Sequence, residues 1–404
     1  MKRFLMEFYD ADGLENIIPL LHEHFDGVTY FFFPDEAPDA RAKLVLAECV
    51  IKLSGVTPAY VQIEEKSFEA VAAAFEKRID EKNTFVFDIT GGSELFIAAA
   101  GYFLRERGGA NTYIHLYDVR KNRRIFSFPE QTEESSFGGK LTFDDLVSLY
   151  GGKILSIAGG ANYDFSDKLL RQEILRLWNA ARLMPSEWNR FCSLPAEVRT
   201  KAVNSMCKKL MRTGDREVCE KVMASLVRQR IVRNWSVVNS GGQSLLYYEL
   251  SDMSKTRALY DKGGTILEMY TCLAASECEE FSDCCTGAVI DLDGVITKMP
   301  NDPKNEIDVC MMCGNCAVFG SCKNTQPTKE FLYEIATVTR DIGGAYAVPM
   351  LVSTQPALSA VKERAKELGI ILIDNVYATN LNDMKYLISH KYQKLQARKH
   401  GGRG

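Results

Sequence analysis

The sequence predicts an α/β protein in three parts, and three patterns carry that prediction. Short apolar runs alternate with amphipathic helical stretches up to about residue 130, a helical and ribbon pattern occupies the middle, and a β-meander followed by further β/α alternation closes the chain. In the first part, Leu5–Tyr9, Val28–Phe33, Ala59–Ile63, Thr84–Ile89 and Thr112–Tyr117 read as buried strands. Leu14–His24, Ala40–Leu53, Phe68–Lys77 and Glu94–Glu106 between them carry helical periodicity. Strands that alternate with helices imply a parallel, doubly wound sheet. Ligands of such sheets bind outside the carboxyl ends of the strands.

Residues 130–165, richer in Gly, Ser and Glu, read as a connection, and 166–195 as helical. A helix is expected over Ala196–Met211, then a break at "RTGD", a second helix over Arg216–Arg228, and a two-stranded ribbon over Ile231–Leu250 that turns at Ser240-Gly241-Gly242. That order describes a winged helix. From about Lys255 the chain predicts a helix, a meander, and then Lys329–Arg340, Tyr346–Ser353, Ala357–Leu368 and Ile370–Asp374 as alternating helices and strands. The expected divisions are 1–150, 151–254 and 255–395, with 396–404, ending "RKHGGRG", as a disordered tail.

Composition narrows the function. A net charge of −4 gives no global basic field, so any nucleic-acid surface must be local. No apolar run is long enough to span a bilayer. The opening "MKRFLMEFYDADG" does not read as a secretory signal, because acidic residues follow the apolar run at once. Twelve cysteines without such a signal lead to the expectation of reduced thiols in a cytoplasm.

The stretch "FVFDITGGSELFIAAAGYFL" reads as strand, glycine turn and helix. Thr90-Gly91-Gly92-Ser93 would set backbone N–H groups at a helix N-terminus, which favours anions. It is neither a dinucleotide fingerprint nor a phosphate loop, for which the lysine is missing. Ser93 as a simple N-cap is the alternative. Asp10-Ala11-Asp12 lies at a neighbouring strand end, where a carboxylate can accept from a ribose hydroxyl or a base amine; Asp12 can equally cap the following helix.

Cys272, Cys278, Cys284, Cys285, Cys310, Cys313, Cys316 and Cys322 crowd into one region, and three of them form C-x₂-C-x₂-C. A hairpin turning at Gly314-Asn315 sets Cys313 opposite Cys316 and Asp308 opposite Ser321. Strict alternation then puts Asp308, Cys310, Met312, Ala317, Phe319, Ser321 and Lys323 on one face. Ile307, Val309, Met311, Cys313, Cys316, Val318 and Cys322 take the other. The thiols therefore diverge, and small apolar packing accounts for them better than zinc does. Asp308 and Lys323 converge instead. They make either a structural ion pair or a metal-binding carboxylate beside a lysine that stabilises phosphoryl charge. Glu268 lies in the helical stretch upstream.

Taken in order, these residues resemble the PD-(D/E)xK nuclease superfamily, in the form fused to a CRISPR-associated Rossmann-fold (CARF) sensor. "DITGG" at Asp88–Gly92 resembles the CARF ligand loop. "GGTILEMY", "NEIDV", "SCKN" and "FLYEI" match the nuclease core, with Glu268, Asp308 and Lys323 at the motif positions. The resemblance implies a Rossmann-like sensor, a winged-helix-like connector and a restriction-endonuclease-like domain. It implies a homodimer that binds cyclic oligoadenylate, usually cyclic tetra-adenylate, and then cleaves DNA or RNA with Mg²⁺ or Mn²⁺ in type III CRISPR defence. The metal would be held by Glu268, Asp308 and the Cys322 backbone carbonyl, and the ligand by Asp10, Ala11, Asp12, Thr90, Gly91, Gly92 and Ser93. Relatives carry a carboxylate where this chain has Ser321. Glu268, Glu306 or Glu334 then supplies the charge, or the metal site is weaker, or the nuclease is inactive. In that last case the protein is a ligand-responsive regulator, with Lys208, Lys209, Arg212, Arg216, Arg228, Arg230, Arg233 and Trp235 on its nucleic-acid face. A sensor that itself cleaves the ligand is a third possibility.

Overall fold

The structure is a computed structural model that describes residues 1–404 except 107–110, 130–134, 137–138, 158–162, 195, 198–205, 213, 241–242, 252–264, 295–303 and 401–404. It is a mixed α/β protein built on three sheets. The first comprises β1 (Arg3–Phe8), α1 (Gly13–His22), β2 (Gly27–Phe32), α2 (Ala40–Ser54), β3 (Ala59–Gln62), α3 (Phe68–Glu76), β4 (Thr84–Asp88), α4 (Glu94–Glu106), β5 (Thr112–Asp118), β6 (Arg123–Phe128) and β7 (Ser135–Ser136). Its strand order is β3-β2-β1-β4-β5-β6-β7, parallel through β5 and antiparallel beyond. The direction of winding reverses between β1 and β4. The loops after these two strands therefore open the crevice where doubly wound folds take their ligands. Phe8, Phe31, Phe75, Phe87 and Phe96 pack one face of this sheet.

The middle of the chain holds α5 (Phe143–Leu149), β8 (Lys153–Ser156), α6 (Lys168–Leu183), α7 (Pro185–Cys192), β9 (Ala196–Glu197), β10 (Met206–Met211), α8 (Arg216–Arg228), β11 (Val232–Ser240) and β12 (Gln243–Leu250). Two expectations fail here. Met206–Met211 is not helical but a strand paired with β12, because Cys207, Lys209 and Met211 alternate inward with period two. The helix–turn–helix pair of a winged helix therefore does not form from that segment; residues 198–205 of it, Thr213 of the break and the turn residues Gly241 and Gly242 lie outside the described residues. Lys209, expected on a basic face, is fully buried. Its ammonium sits 4.9 Å from the Phe191 ring centroid and donates to the Leu194 carbonyl at 3.4 Å. Trp235 packs against the core.

The third sheet takes α9 (Thr265–Ser276), β13 (Ser282–Asp291), β14 (Lys304–Cys313), β15 (Cys316–Lys323), α10 (Lys329–Gly343), β16 (Val348–Ser353), α11 (Ser359–Glu367), β17 (Ile371–Ile373) and α12 (Leu381–His400). Its order is β17-β16-β15-β14-β13-β8, so β8, read from sequence as connection, is its edge strand. The expected tail is helical through His400; 401–404 lie outside the described residues. One continuous apolar cluster joins this sheet to the first, with Leu5, Ile17 and Val86 on one side and Cys310, Phe319 and Leu351 on the other.

Candidate functional site

The crevice at the switch point is built from carboxylates. Asp12 ends β1's loop and caps α1, accepting from the Leu14 N–H at 3.1 Å. It also accepts from the Tyr150 hydroxyl and, at 2.8 Å, from the Ala345 N–H. Asp10 accepts from the Asp12 N–H at 2.7 Å and from the Gly92 N–H at 3.4 Å. Ala11 between them is exposed. On the facing loop, the Thr90 hydroxyl donates to Asp88 at 2.6 Å and accepts from the Tyr117 N–H at 3.0 Å. Ser93 accepts from the Leu95 N–H at 3.3 Å, as an N-cap of α4 does. Neither Gly91 nor Gly92 has open space for a Cβ. A Cβ on Gly91 would stand 2.1 Å from Glu15 Oε2, and Gly92 has φ +88° with Phe8 behind it.

Burial raises the carboxyls of Asp88, Glu7 and Glu15 in this crevice. Asp88 is fully buried, which pushes its carboxyl up to about 7 against the opposing hydrogen bonds from Thr90. Glu7 beside it is raised well above the usual carboxylate range by burial and by the Asp88 charge. Burial lifts Glu15 to about 7, opposed by the Tyr346 hydroxyl that donates to it and helped by Asp10 and Asp12. Next to Asp10 and Ala11 a cavity of about 240 Å³ is lined also by Tyr9, Asn16, Asp39, Arg41 and Tyr150. Sequence reasoning missed Glu15, Arg41, Tyr150 and Tyr346. The first three lie near the carboxyl ends of β1 and β2 or just after α5, a position that the alternating pattern could have flagged. Tyr346 arrives from the third sheet and had no local signal.

The two sheets meet at this crevice. Residues Gly344–Tyr346, between α10 and β16, reach the loops of the first sheet through Asp12, Tyr150 and Glu15. Arg120 donates to the Ala345 and Tyr346 carbonyls at 3.0 and 3.2 Å and lies 5.0 Å from the Tyr346 ring centroid. The β14–β15 turn is fastened similarly: the Leu141 N–H donates to Asn315 at 2.8 Å, and Asn315 donates to Asn122.

The second constellation lies on β14 and β15. The register sets Cys313 opposite Cys316 and Val309 opposite Gly320, as the turn at Gly314-Asn315 requires. Asp308 Oδ2 accepts from the Cys322 N–H at 2.6 Å and from the Ser321 hydroxyl at 3.3 Å. Burial raises the Asp308 carboxyl, while the Cys322 N–H, Lys323 and Ser321 pull it down and Glu306 pushes it up again. The Cys322 thiol is raised well above its usual value by burial, then by the charges of Asp308 and Glu268. Both carboxylates therefore act on one buried residue. Lys323 Nζ lies 5.0 Å from the Phe331 ring centroid. Glu306 is exposed on β14. Glu334 is exposed on α10 and is not among the strongest charges acting on Asp308.

Strict alternation misplaced two residues. Ile307 packs with Cys310 and Met312, whereas Val309 and Met311 join the opposite cluster, so alternation breaks at Asp308. Gly287, with φ +59°, falls in the facing stretch of β13 between the partners of Val309 and Ile307. The break explains how one Asp308 carboxylate oxygen meets both the Cys322 N–H and the Ser321 hydroxyl. Cys316 packs with Cys310 rather than with Cys313, which instead lies against the Tyr392 cluster. Among the described residues, no three His, Cys, Asp or Glu side chains converge as a cation cage. The oxygen donors here are two carboxylates, a hydroxyl and a backbone carbonyl. They fit Mg²⁺ or Mn²⁺, which bind through one or two carboxylates and leave positions to water and substrate phosphate.

A doubly wound sheet fastened to a mixed sheet with a polar Asp–Ser–Lys hairpin is a two-site α/β architecture. Neither a protein-family model nor a curated protein sequence matches the chain. Solved structures share this architecture along nearly its whole length, among them the following two. Protein VC1899 from Vibrio cholerae superimposes with a TM-score of 0.69 at 16% identity, over 98% of this chain and 98% of that one. Can2 from Sulfobacillus thermosulfidooxidans, solved in complex with cyclic tetra-adenylate, gives 0.66 at 14% identity over 96% of each chain. The chain thus has the fold of Can2.

Proposed function

We propose that the chain is a cyclic-oligoadenylate-gated, metal-dependent nuclease that acts as a homodimer, with a CARF sensor at 1–150, a connector at 151–254 and a PD-(D/E)xK-like nuclease domain from 255. The observation that carries the reading is the full-length fold shared with a protein solved around cyclic tetra-adenylate, together with the grouping of Asp308, Ser321, Cys322, Lys323 and Glu268. A two-fold symmetric ring matches a two-fold dimer, because each subunit offers the same loops to half of it. Asp10 can accept from base amines or ribose hydroxyls, and the N-terminus of α4 can receive phosphate. The Asp12 carboxylate is already filled by three protein donors, so its role is to brace the loop against Ala345 and Tyr150.

In the nuclease domain, Asp308 and Glu268 would hold Mg²⁺ or Mn²⁺, with the Cys322 carbonyl as a further donor. Bound there, the ion would polarise the phosphoryl oxygens and lower the pKa of a coordinated water. The Cys322 N–H and Ser321 hydroxyl fix the Asp308 carboxylate in place. Lys323, across from Asp308, stabilises charge that develops on the phosphoryl group. The regulator reading, with an inactive nuclease domain, draws on Ser321 standing where a carboxylate would complete the ligand set. Incubating the protein with Mn²⁺ and, separately, single-stranded RNA, single-stranded DNA and duplex DNA, with and without cyclic tetra-adenylate, distinguishes the two. Ligand-dependent cleavage of any of them supports the nuclease. Ligand-dependent binding without cleavage supports the regulator.

A further inference from the structure

A cavity of about 260 Å³ lies beside the edge strand β17, lined by residues for which the proposed chemistry has no use. Four lysines surround it. Lys362 and Lys366 come from α11, and Lys391 and Lys394 from α12. Asp374 is the acid among the lining residues, and it is already occupied: it accepts from Lys362 at 2.9 Å and from the Ala357 N–H at 2.8 Å. Lys366 pairs with Glu363 at 3.7 Å on its own helix. Among the described residues, Lys391 and Lys394 make no ion pair. Lys391 is half-buried; burial and the neighbouring charges of Lys362 and Lys394 depress its pKa, although Asp374 opposes them. Cationic groups crowded at a cavity with too few acids call for an anion.

The position of the cavity says which anion. Lys323 pairs with Ser353 across β15 and β16, and Val352 pairs with Ile373 across β16 and β17. Lys323, Ser353 and Asp374 therefore sit side by side at one end of the sheet. Two strand spacings separate the first from the last, about 10 Å. A phosphate held here and one at Lys323 would therefore be close neighbours on one nucleic-acid strand.

We propose that the lysine cavity between α11 and α12 binds a backbone phosphate of the nucleic-acid substrate and sets the direction in which the strand crosses the hairpin. The inference rests on the nuclease reading and adds the track of the substrate. The test is fluorescence anisotropy of a labelled single-stranded 20-mer, as RNA and as DNA, with the full-length protein and cyclic tetra-adenylate. EDTA is included to withhold the divalent ion and so stop cleavage, and binding is followed across a salt series. The Lys391→Glu/Lys394→Glu variant should bind about tenfold or more weakly, with a slope of log K against log salt reduced by roughly one to two. Lys391→Gln/Lys394→Gln, which perturbs the fold less, should show a smaller change in the same direction. Unchanged affinity and slope in both variants, with wild type binding and cleaving normally, would overturn this inference alone. A wild type that neither binds nor cleaves nucleic acid would overturn the nuclease reading as well. Inorganic phosphate that stabilises wild type but not the variant against heat, with oligonucleotide binding unaffected, would assign the cavity to a small free anion and refute the track.

Discussion

Gly92→Ala should be costly, and the structure says by how much. Gly92 holds φ at +88°, a conformation that costs an L-residue about 1–2 kcal/mol. The added Cβ would also stand 2.7 Å from Phe8 Cβ. Phe8 cannot retreat, because its ring is wedged against Phe33 and Phe96 at centroid distances of 5.2 and 5.5 Å. Overpacking of this kind costs about 1–3 kcal/mol, so the sum is about 2–5 kcal/mol. Gly91→Ala offers the contrast. Its Cβ would meet Glu15 Oε2 at 2.1 Å, but that atom is the far end of a flexible side chain. Glu15 can swing away at the cost of its bond from Tyr346, about 1 kcal/mol. Urea unfolding followed by circular dichroism should lower the midpoint strongly for Gly92→Ala and weakly for Gly91→Ala, while calorimetry shows cyclic tetra-adenylate binding lost in Gly91→Ala. A Gly92→Ala protein within about 0.5 kcal/mol of wild type, or a Gly91→Ala protein with wild-type ligand affinity, would refute the assignment of this turn.

Three other outcomes follow from the same geometry. Burial lifts the Glu15 carboxyl from its ordinary 4.5 to about 7 in the folded protein, so its contribution to stability is fully present below pH 4.5 and is lost as pH rises through 7. Glu15→Gln should remove part of that loss, about 1 kcal/mol after solvent screening, and thermal melts at pH 4.5 and pH 7.5 should show the difference narrowing. Lys323→Ala should keep Mn²⁺ affinity by calorimetry yet lower kcat on the order of a hundredfold, as expected for loss of a charge stabiliser. Ser321→Glu adds a carboxylate beside Asp308. It should tighten Mn²⁺ binding and preserve or raise cleavage, and weaker Mn²⁺ binding would mean that Glu268 already fills that position.

The strands of the first sheet and the β14–β15 hairpin were legible because their signals are local. Val28–Phe33 and Thr84–Ile89 are runs dominated by apolar, strand-forming residues, and Gly314-Asn315 fixes a register by turn chemistry alone. Met206–Met211 was not legible, because "MCKKLM" satisfies both a helical and a two-residue period. Only pairing with β12, and a cation seated over Phe191, decides between them. Strict alternation failed at Asp308 because a break in the pleat has no marker within β14 itself; Gly287, across the ladder, was the available hint. The candidate ligand crevice was half visible. Asp10, Asp12 and the Thr90–Ser93 turn lie at strand ends, but Tyr346 and Ala345 reach them from more than three hundred residues away in the chain, beyond any pattern in the neighbouring sequence.

The most direct test of gated catalysis is cleavage by Asp308→Ala and wild type, measured in Mn²⁺ with and without cyclic tetra-adenylate on whichever nucleic acid wild type cuts. Wild type should cut only when the cyclic ligand is present. Asp308→Ala should bind the ligand with wild-type affinity, because the two sites use different residues, and should lose both cleavage and Mn²⁺ binding. Full ligand-dependent cleavage by Asp308→Ala would contradict the account and place the chemistry elsewhere in the chain.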